Sequence, residues 1–407
     1  MRDPIQHHRA LDSSELRITA DAHVNEPDDL NERLPANLRQ YGLKFSDDPS
    51  GTFDMDIEGY TFRAEVVEPP SEIERGKEFR SDPTGGRDLS VRLRDMAIEG
   101  VDAQVIFPNG GLLVGSGNAP PEFRIAFASA YNDWAWENFS ADRDRYCVAA
   151  MIPTESVAAA VSEAKRMIDL GCRTLFLPPS VPWEPYYMDS WEPLWSLAEE
   201  ANTVLNFHVF AGNLGFAADF AHVLHMGESE SERARKSRDD FDGIRQEMLS
   251  TTVIGMASGM GPVVHLTASG ALDRHPALRF IITEGEAGWL AWTLQQMDRM
   301  QDRRHIFLKR LSLKPSEFFL RQGHVTITDD PVALNNIAFT GADCILWGND
   351  YPHDEGTFPL SQRFIDDIRA ALSEEDTRKV LSENAARLFG FDLERLAARK
   401  SELSQAA

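Results

Sequence analysis

The sequence lacks the marks of a disulfide-stabilised or membrane-spanning protein. It has three cysteines in 407 residues, Cys147, Cys172 and Cys344, and no CxxC pair. All three lie in or beside apolar runs, so we expect buried, reduced thiols in a cytoplasmic protein and no disulfide framework. No apolar stretch approaches the roughly 18 residues that cross a bilayer, and residues 1–8 do not contain the apolar segment of a signal peptide.

Basic residues are also scarce. The chain carries 41 Lys and Arg against 65 Asp and Glu, which gives a formal net charge of −24. An acidic surface repels phosphate backbones and anionic lipids, so we expect neither a nucleic acid nor a membrane surface as a partner. The simplest role of this charge is solubility, and the expected partner is a small molecule.

Apolar residues make up 42% of the chain, which suffices for a large core. Short apolar runs alternate with amphipathic stretches, and this pattern indicates parallel βα units. Eight such units favour a closed barrel over an open sheet, so we predict an α/β protein with a TIM (β/α)8 barrel. The predicted strands are 16–22, 101–107, 147–152, 173–178, 203–208, 279–284, 324–328 and 344–350.

Two long spacings interrupt the alternation. The segment 40–95 has an alternating pattern over 53–60 and then Pro69-Pro70, which predicts a long loop with a small hairpin and a proline-rich return. The segment 209–265 holds several helical patterns. Insertions that follow barrel strands lie at the carboxyl end of the barrel, where they form lids, pockets or subunit contacts. The predicted organisation is an N-terminal arm over 1–15, one barrel domain over 16–395 and a C-terminal tail over 396–407.

Residue types that bind metal ions close three of the predicted strands. Asp21 and His23 close the first strand, His208 the fifth and Asp350 the last. Each of them alone could be a satisfied polar residue of the core, but barrel active sites are built at these strand ends. A carboxylate after the apolar run of the last strand is costly unless it is paired or metal-bound. Imidazole and carboxylate together predict one divalent ion, with zinc favoured and manganese or iron as alternatives.

Further motifs are spread over nearly the whole chain. They are Asp21-Ala22-His23-Val24-Asn25-Glu26-Pro27, Arg94-Asp95-Met96 with Glu99-Gly100-Val101-Asp102, Tyr131-Asn132-Asp133-Trp134, Met151-Ile152-Pro153, Ser269-Gly270 with Asp273-Arg274-His275-Pro276, Asn349-Asp350-Tyr351-Pro352-His353 and Asn384-Ala385-Ala386-Arg387-Leu388. In combination, they resemble the amidohydrolase superfamily, in the branch of aminocarboxymuconate-semialdehyde decarboxylase and γ-resorcylate decarboxylase. The metal ligands that the resemblance implies are Asp21, His23, His208 and Asp350.

The first strand departs from the pattern of this family. Many relatives carry His-x-His or Glu-x-His there, whereas this chain has Asp21-Ala22-His23. Asp21 fits as a carboxylate ligand by analogy with Glu-x-His. A register that uses His23 and Asn25 fits worse, because an amide oxygen is a poor ligand for these metals. Glu26 is close enough in the sequence to compete with Asp21 for the role.

The sixth strand departs further. The decarboxylases of this branch place a general acid/base histidine at its end, and here Glu284 follows Phe280-Ile281-Ile282-Thr283. A carboxylate near a metal can still move protons, although its basicity and charge differ. His353 lies three residues after Asp350 and is either an exposed loop residue or a second proton-transfer group. The predicted catalytic residues are Asp350, Glu284 and His353.

Aromatic residues are concentrated in segments that would face the barrel mouth. We predict that Trp183, Phe210 and Trp289 bind substrate and that the substrate is flat or apolar. The alternative for Trp289 and Trp292 is that they pack a helix onto the barrel.

Several basic residues have less certain roles in this scheme. Arg173 and Arg274 could pair with a substrate carboxylate, although Arg274 also fits a structural position in a helix–turn. His222 and His225 lie three apart on a helical pattern, which favours a helix face against the barrel over a metal pair. His265 fits a structural position in the insertion better than a place in the pocket.

Two activities fit this site. The first is a metal-dependent hydrolase that uses activated water on a small aromatic or carboxylated substrate. The alternative is a non-oxidative, metal-dependent decarboxylase of an aromatic or enoic acid. Glu284 favours the hydrolase, and the resemblance favours the decarboxylase. The complete ligand set argues against a non-catalytic binding protein. The apolar helices of the insertions, together with the resemblance, predict a homodimer formed partly by 209–265.

Overall fold

Eight parallel strands form the central sheet of the protein in a computed structural model. The structure describes residues 15–48, 52–65, 83–115, 117–181, 183–212, 249, 252–353 and 355–406. The strands are β1 (Ile18–Val24), β2 (Lys44–Asp48), β3 (Thr52–Ile57), β4 (Tyr60–Glu65), β5 (Ala103–Pro108), β6 (Tyr146–Met151), β7 (Thr174–Leu177), β8 (Val204–His208), β9 (Phe280–Thr283), β10 (Gly323–Ile327) and β11 (Ile345–Trp347). The parallel sheet has the order β1-β5-β6-β7-β8-β9-β10-β11.

The sheet closes into the predicted TIM barrel. Its first and last strands meet at a single parallel bridge between Ala22 and Tyr351. Two backbone hydrogen bonds support this seam, from His23 N to Tyr351 O at 2.6 Å and from Asp350 N to Asp21 O at 3.1 Å. All eight predicted strands are confirmed, and every residue of β1 is buried, as expected for a barrel strand covered by helices.

Two strands end before the predicted catalytic residue that was assigned to them. β9 stops at Thr283 and β11 at Trp347. Glu284 and Asp350 have φ values of 64° and 54°, in the left-handed region, so neither residue can continue an extended strand. The two carboxylates are therefore carried by the turns that follow the strands.

Helices surround the barrel. Their bounds are Leu89–Glu99, Pro121–Phe139, Val157–Leu170, Glu192–Glu200, Met260–Ala268, Ala271–Arg274, Leu290–Arg303, Pro315–Gln322, Pro331–Asn335, Ile337–Thr340, Ser361–Ala371, Glu374–Arg378, Asn384–Phe389 and Leu393–Ala406. The last of them runs through most of the segment assigned to a tail. Among the described helices, none combines the length and apolar content needed to span a bilayer.

The first insertion forms a small sheet of its own. β2, β3 and β4 pair antiparallel in sequence order, so the predicted hairpin is present with one additional strand. In the second insertion, the structure describes 209–212, 249 and 252–265, where the helix Met260–Ala268 begins as the last helical pattern predicts. The earlier helical patterns and the histidines His222 and His225 lie outside the described residues. The three cysteines are free and buried, as predicted.

Candidate metal centre

β1 presents two polar side chains to the interior of the barrel. Asp21 and His23 are two residues apart on the strand, so they share one face. Both are fully buried, and Asp21 Oδ1 lies 3.3 Å from His23 Nε2. His23 Nδ1 lies 2.8 Å from the carbonyl oxygen of Pro108, and because a carbonyl only accepts, Nδ1 carries the proton. The Nε2 of a neutral His23 therefore faces the barrel as a free electron-pair donor.

His208 at the end of β8 repeats this arrangement. Its Nδ1 donates to the carbonyl oxygen of Val209 at 2.8 Å, which leaves Nε2 facing Asp21 Oδ1 at 3.4 Å. Fixing one ring nitrogen by a backbone carbonyl is the usual way to orient a metal-binding histidine. Phe107 and Phe176 pack against the His208 ring, with centroid distances of 4.7 and 5.8 Å. Sequence reasoning missed these two aromatics, although both lie within predicted strands.

Asp350 reaches the same place from the seam of the barrel. Its Oδ1 lies 3.4 Å from His23 Nε2, and its side chain is 2% exposed. The left-handed backbone at Asp350 turns the chain just after β11, and the hydrogen bond from its N–H to Asp21 O ties that turn to β1. Asp350 and Asp21 thus face His23 from two sides of the seam.

Glu284 completes the cluster. Its backbone N–H donates to Thr326 Oγ1 at 2.9 Å, and its Oε2 lies 3.3 Å from His208 Nδ1. Donor atoms that lie within 4.8 Å of one another form two sets that share His23 and Glu284. The sets are Asp21, His23, His208 and Glu284, and His23, Glu284, Asp350 and His353.

The donor set fits a divalent metal ion. Asp21 Oδ2, His23 Nε2 and Glu284 Oε2 are buried and have no hydrogen-bond partner. Within the described part of the chain, the ion pairs of Asp21, Glu284 and Asp350 are formed with histidines only. Buried carboxylates without a compensating cation are costly, and imidazole with carboxylate is the ligand set of zinc, manganese and iron.

Neighbouring groups separate the acidities of the carboxylates. Burial raises the pKa of Asp21, but hydrogen bonds and charge interactions with His208 and His23 outweigh it and lower the pKa overall. Burial raises the pKa of Glu284 well above its ordinary value, and Asp350 and Asp21 add to this by repulsion. The two carboxyls therefore differ in the direction of their pKa shifts, downward for Asp21 and upward for Glu284.

His353 lies inside the site, so the alternative of an exposed loop residue is wrong. Its ring stacks on that of His23 with a centroid distance of 4.1 Å, and its side chain is 15% exposed. Nδ1 lies 2.9 Å from Asp350 Oδ1, and Nε2 lies 3.0 Å from Asn109 Oδ1. Burial lowers the pKa of His353, but Asp350 outweighs this effect and raises it to about 10.

The two competing ligand candidates on the first strand are engaged elsewhere. The carboxylate of Glu26 accepts hydrogen bonds from the backbone N–H groups of Gly110, at 2.9 Å, and Gly111, at 2.7 Å. Asn25 Oδ1 accepts from Asn109 Nδ2 at 2.5 Å. Both side chains fix the loop after β5, and Asp21 is the residue that faces His23 and His208.

The predicted aromatic residues differ in their surroundings. Trp289 donates from Nε1 to Gly285 O at 2.8 Å, which places it next to Glu284. Phe210 has a left-handed backbone and packs partly buried against the core. Trp183 donates to Thr154 O at 3.0 Å but is 49% exposed. Trp292 is 60% exposed, so the prediction that it packs a helix onto the barrel is wrong.

The proposed carboxylate partners are occupied by other groups. Arg173 precedes β7 at the amino end of the barrel, opposite the cluster, and donates to Gly390 O and Tyr146 O. Arg274 pairs with Glu192 on the outer surface. A substrate role for Arg173 is therefore wrong, and Arg274 has the structural position that its place in a helix–turn favoured. His265 lies on the helix Met260–Ala268 with its ring against Tyr187, as expected for a structural residue.

Comparisons with known proteins agree with this fold. A search of curated protein sequences finds no match. An amidohydrolase structure from Mycobacterium avium subsp. paratuberculosis K-10 has a TM-score of 0.69 at 18% identity, over 92% of this chain and 99% of that one. The 5-carboxyvanillate decarboxylase of Sphingomonas paucimobilis has a TM-score of 0.60 at 21% identity, over 93% and 100%.

A third solved structure contains a metal ion. The dihydroxybenzoic acid decarboxylase of Polaromonas sp. JS666, with bound manganese and the inhibitor 2-nitroresorcinol, has a TM-score of 0.58 at 18% identity, over 92% of this chain and 97% of that one. At these identities the likeness shows a shared fold. A family model described as Amidohydrolase matches residues 18–391, so the chain belongs to the amidohydrolase family, as its motifs indicated.

Proposed function

We propose that the protein is a metal-dependent decarboxylase of a small aromatic carboxylic acid. The observation that carries the proposal is the buried carboxyl of Glu284, which lies 3.3 Å from His208 Nδ1 beside the predicted metal ligands and whose pKa burial raises well above its ordinary value. The names of the structural neighbours support it, because they include decarboxylases of 5-carboxyvanillate and of dihydroxybenzoic acid. The hydrolase that the sequence favoured becomes the second candidate.

The ligand residues define where the substrate carboxylate would lie. Asp21, His23 and His208 would hold one divalent ion together with Asp350, which belongs to the second set and lies 3.4 Å from His23 Nε2. The ion would supply positive charge that stabilises a substrate carboxylate. Manganese joins zinc as a leading candidate for this ion, because manganese is bound in the Polaromonas neighbour.

Glu284 is the proposed proton donor. It would give its proton to the ring carbon that bears the carboxylate, and the bond between these two carbons would then break. The new C–H bond takes its electron pair from the π system of the ring, and the pair released by the broken C–C bond restores that π system as carbon dioxide leaves. Glu284 is left as a carboxylate and takes up a proton from solvent before the next cycle.

The remaining residues hold this arrangement. His353 hydrogen-bonds Asp350 and stacks on His23, so it fixes the orientation of two ligands at once. Phe107 and Phe176 line the His208 side with apolar surface, and Trp289 stands beside the Glu284 turn. Such surroundings favour a flat substrate.

Hydrolysis has one specific observation in its favour. The site holds three carboxylates. Two of them, Asp350 and Glu284, lie close together, and either could accept a proton from water. In that case Asp350 would serve as the general base, and the substrate would carry a C–N or C–O bond in place of a departing carboxylate.

Isotope labelling distinguishes decarboxylation from hydrolysis. The manganese- or zinc-loaded protein is incubated with a panel of hydroxylated benzoic acids and their amides and esters. A decarboxylase releases carbon dioxide and, in D2O, leaves deuterium on the vacated ring carbon. A hydrolase incorporates oxygen-18 from water into its product. Oxygen-18 incorporation without carbon dioxide release would reject the decarboxylase.

A further inference from the structure

We propose that Arg92, together with Asp95 and Tyr351, is a positioning cluster that sets the spacing between His23 and Asp350. The inference rests on the proposed metal centre, which these two residues flank. Arg92 and Asp95 lie on the helix Leu89–Glu99, outside the barrel wall, and do not face the site. Their effect on the metal would pass through the backbone of the ligand residues.

The barrel seam leaves the two ligands weakly fixed by the sheet itself. β1 and β5 pair at five positions, from Ile18 with Ala103 to Val24 with Pro108. β1 and the segment after β11 share the single bridge at Ala22 and Tyr351. His23 and Asp350 stand on opposite sides of this seam, so a small opening would change the 3.4 Å distance between His23 Nε2 and Asp350 Oδ1.

Arg92 spans the seam with one side chain. The residue is 1% exposed, and its guanidinium donates from Nη2 to the carbonyl oxygen of His23 and from Nη1 to Gln104 Oε1 at 2.9 Å. The guanidinium carbon also lies 4.9 Å from the centroid of the Tyr351 ring. Arg92 thus contacts a ligand residue on β1, Gln104 on β5 and the residue that follows Asp350.

Tyr351 is held from its other end. Its hydroxyl donates to Asp95 Oδ2 at 2.7 Å, one turn further along the same helix. The packing leaves no room for adjustment, because a Cβ on Gly85 would come within 1.8 Å of the Tyr351 hydroxyl oxygen. The helix therefore clamps the turn that carries Asp350 as well as the strand that carries His23.

A role in packing alone does not account for the guanidinium. Among the described residues, no carboxylate forms an ion pair with Arg92, and burial lowers its pKa by more than the nearby Asp95 and tyrosines raise it. A buried cation without a partner costs free energy that an apolar side chain of similar length would avoid. The planar guanidinium instead donates two hydrogen bonds in fixed directions, to the carbonyl oxygen of His23 and to Gln104, which an apolar side chain could not do.

The chain offers a matched control in Arg17. It is also 1% exposed and also ties β1 to the same helix, through a hydrogen bond of 2.8 Å from Nη1 to Glu99 O. Arg17 precedes β1, at the amino end of the strand, and therefore lies away from the cluster. Loss of Arg17 should lower stability and leave the metal centre unchanged, whereas loss of Arg92 should change the metal centre.

The test measures binding of Mn²⁺ by electron paramagnetic resonance of the free ion, together with the melting temperature of the metal-free protein. We expect Arg92→Met to weaken Mn²⁺ binding by about tenfold or more, as for other residues that orient metal ligands. Arg92→Lys keeps the charge without the paired hydrogen bonds and should also weaken binding. Arg17→Met should lower the melting temperature while its Mn²⁺ affinity stays within about twofold of wild type.

Each outcome decides the matter. Unchanged or tighter Mn²⁺ binding in Arg92→Lys, or an equal loss in Arg17→Met, would overturn the positioning role. If Arg92→Met does not fold, Tyr351→Phe carries the test, since it removes only the hydroxyl that Asp95 holds; unchanged affinity there also overturns it. A wild-type protein that binds no Mn²⁺ or Zn²⁺ would instead reject the proposed metal centre, and the two failures are thus distinguishable.

Discussion

Gly348 lies directly against Asp21 across the barrel seam. A Cβ built on Gly348 would come within 2.7 Å of the Cβ of Asp21, a separation that real Cβ atoms do not show. The absence of a side chain at Gly348 therefore allows β1 and the last strand to approach and brings Asp21 to the cluster. A larger residue at position 348 would therefore clash with Asp21, which is why the residue before the Asp350 turn is glycine.

Gly348→Ala should displace Asp21 and weaken the metal centre. The backbone of Gly348 does not require positive φ, so the effect would come from the clash, which typically costs about 1–3 kcal/mol in a packed core. Urea unfolding and Mn²⁺ binding measure the two consequences. Gly261→Ala is the control, since its nearest neighbour would lie at an ordinary 3.5 Å. Normal Mn²⁺ affinity in Gly348→Ala would show that Asp21 is not a ligand.

His208→Ala should abolish metal binding while the barrel stays folded. His208 Nε2 is one of the two imidazole donors of the cluster, and its loss leaves a small cavity at the end of β8. Elemental analysis of the purified variant should show metal well below one ion per chain, with wild-type circular dichroism. Full occupancy in this variant would remove His208 from the ligand set.

The strands were predictable because their signal is local. Continuous apolar runs identified all eight barrel strands, and His208 at the end of one of them was a prediction from its position alone. Asp21 and His23 also followed from the spacing of two residues on a strand. The knowledge that barrel sites form at strand carboxyl ends supplied the rest.

The arrangement beyond the strands was not predictable in this way. The left-handed backbones at Glu284 and Asp350 are imposed by tertiary contacts, such as the hydrogen bond from Glu284 N–H to Thr326, and no residue type at those positions announces them. The engagement of Glu26 by the backbone of the β5 loop depends on a contact 84 residues away. Sequence spacing therefore left Glu26 open as a ligand, and the fold decided against it.

Glu99 should make stability depend on pH. Burial raises its pKa from 4.5 to about 7, and its side chain is 3% exposed. The protonated form is thus favoured in the native state, so the free energy of unfolding is highest below about pH 4.5 and falls as the pH rises to about 7. The total loss is on the order of 3 kcal/mol for one such group.

Glu99→Gln tests this directly. The neutral amide keeps the shape of the protonated acid, so the variant should lose the decline between about pH 4.5 and 7 and be more stable than wild type at pH 8. Urea unfolding of metal-free protein at a series of pH values gives the comparison. A parallel decline in both proteins would assign the pH dependence to other groups, such as Glu286, whose pKa burial also raises to about 7.

The homodimer remains a prediction. Large apolar side chains are exposed at Trp292 (60%) and Phe307 (75%), and at Phe339 (72%), whose face a second copy of the chain would cover. All three lie outside the predicted contact segment 209–265. Light scattering at micromolar concentration should give twice the mass of one chain. Replacing Phe339 with Ser should shift the mass towards that of one chain if this face forms the contact, and a monomeric wild type would contradict the prediction.

The variant Glu284→Gln tests whether Glu284 is the proton donor. The amide keeps the size of the side chain but cannot supply a proton, so turnover should fall by roughly 10²–10⁴-fold while metal content stays at the wild-type level. Substrate binding should change much less, since the loss belongs to the transition state.

His353→Asn is the comparison, because it breaks the contacts with Asp350 and His23 and should weaken Mn²⁺ binding as well as turnover. If Glu284 only anchors the turn before Trp289, its variant should instead keep near-normal turnover and lose about 1–3 kcal/mol of stability. That result would move the proton-transfer role to His353 or Asp350, which lie in one set of donor atoms with Glu284.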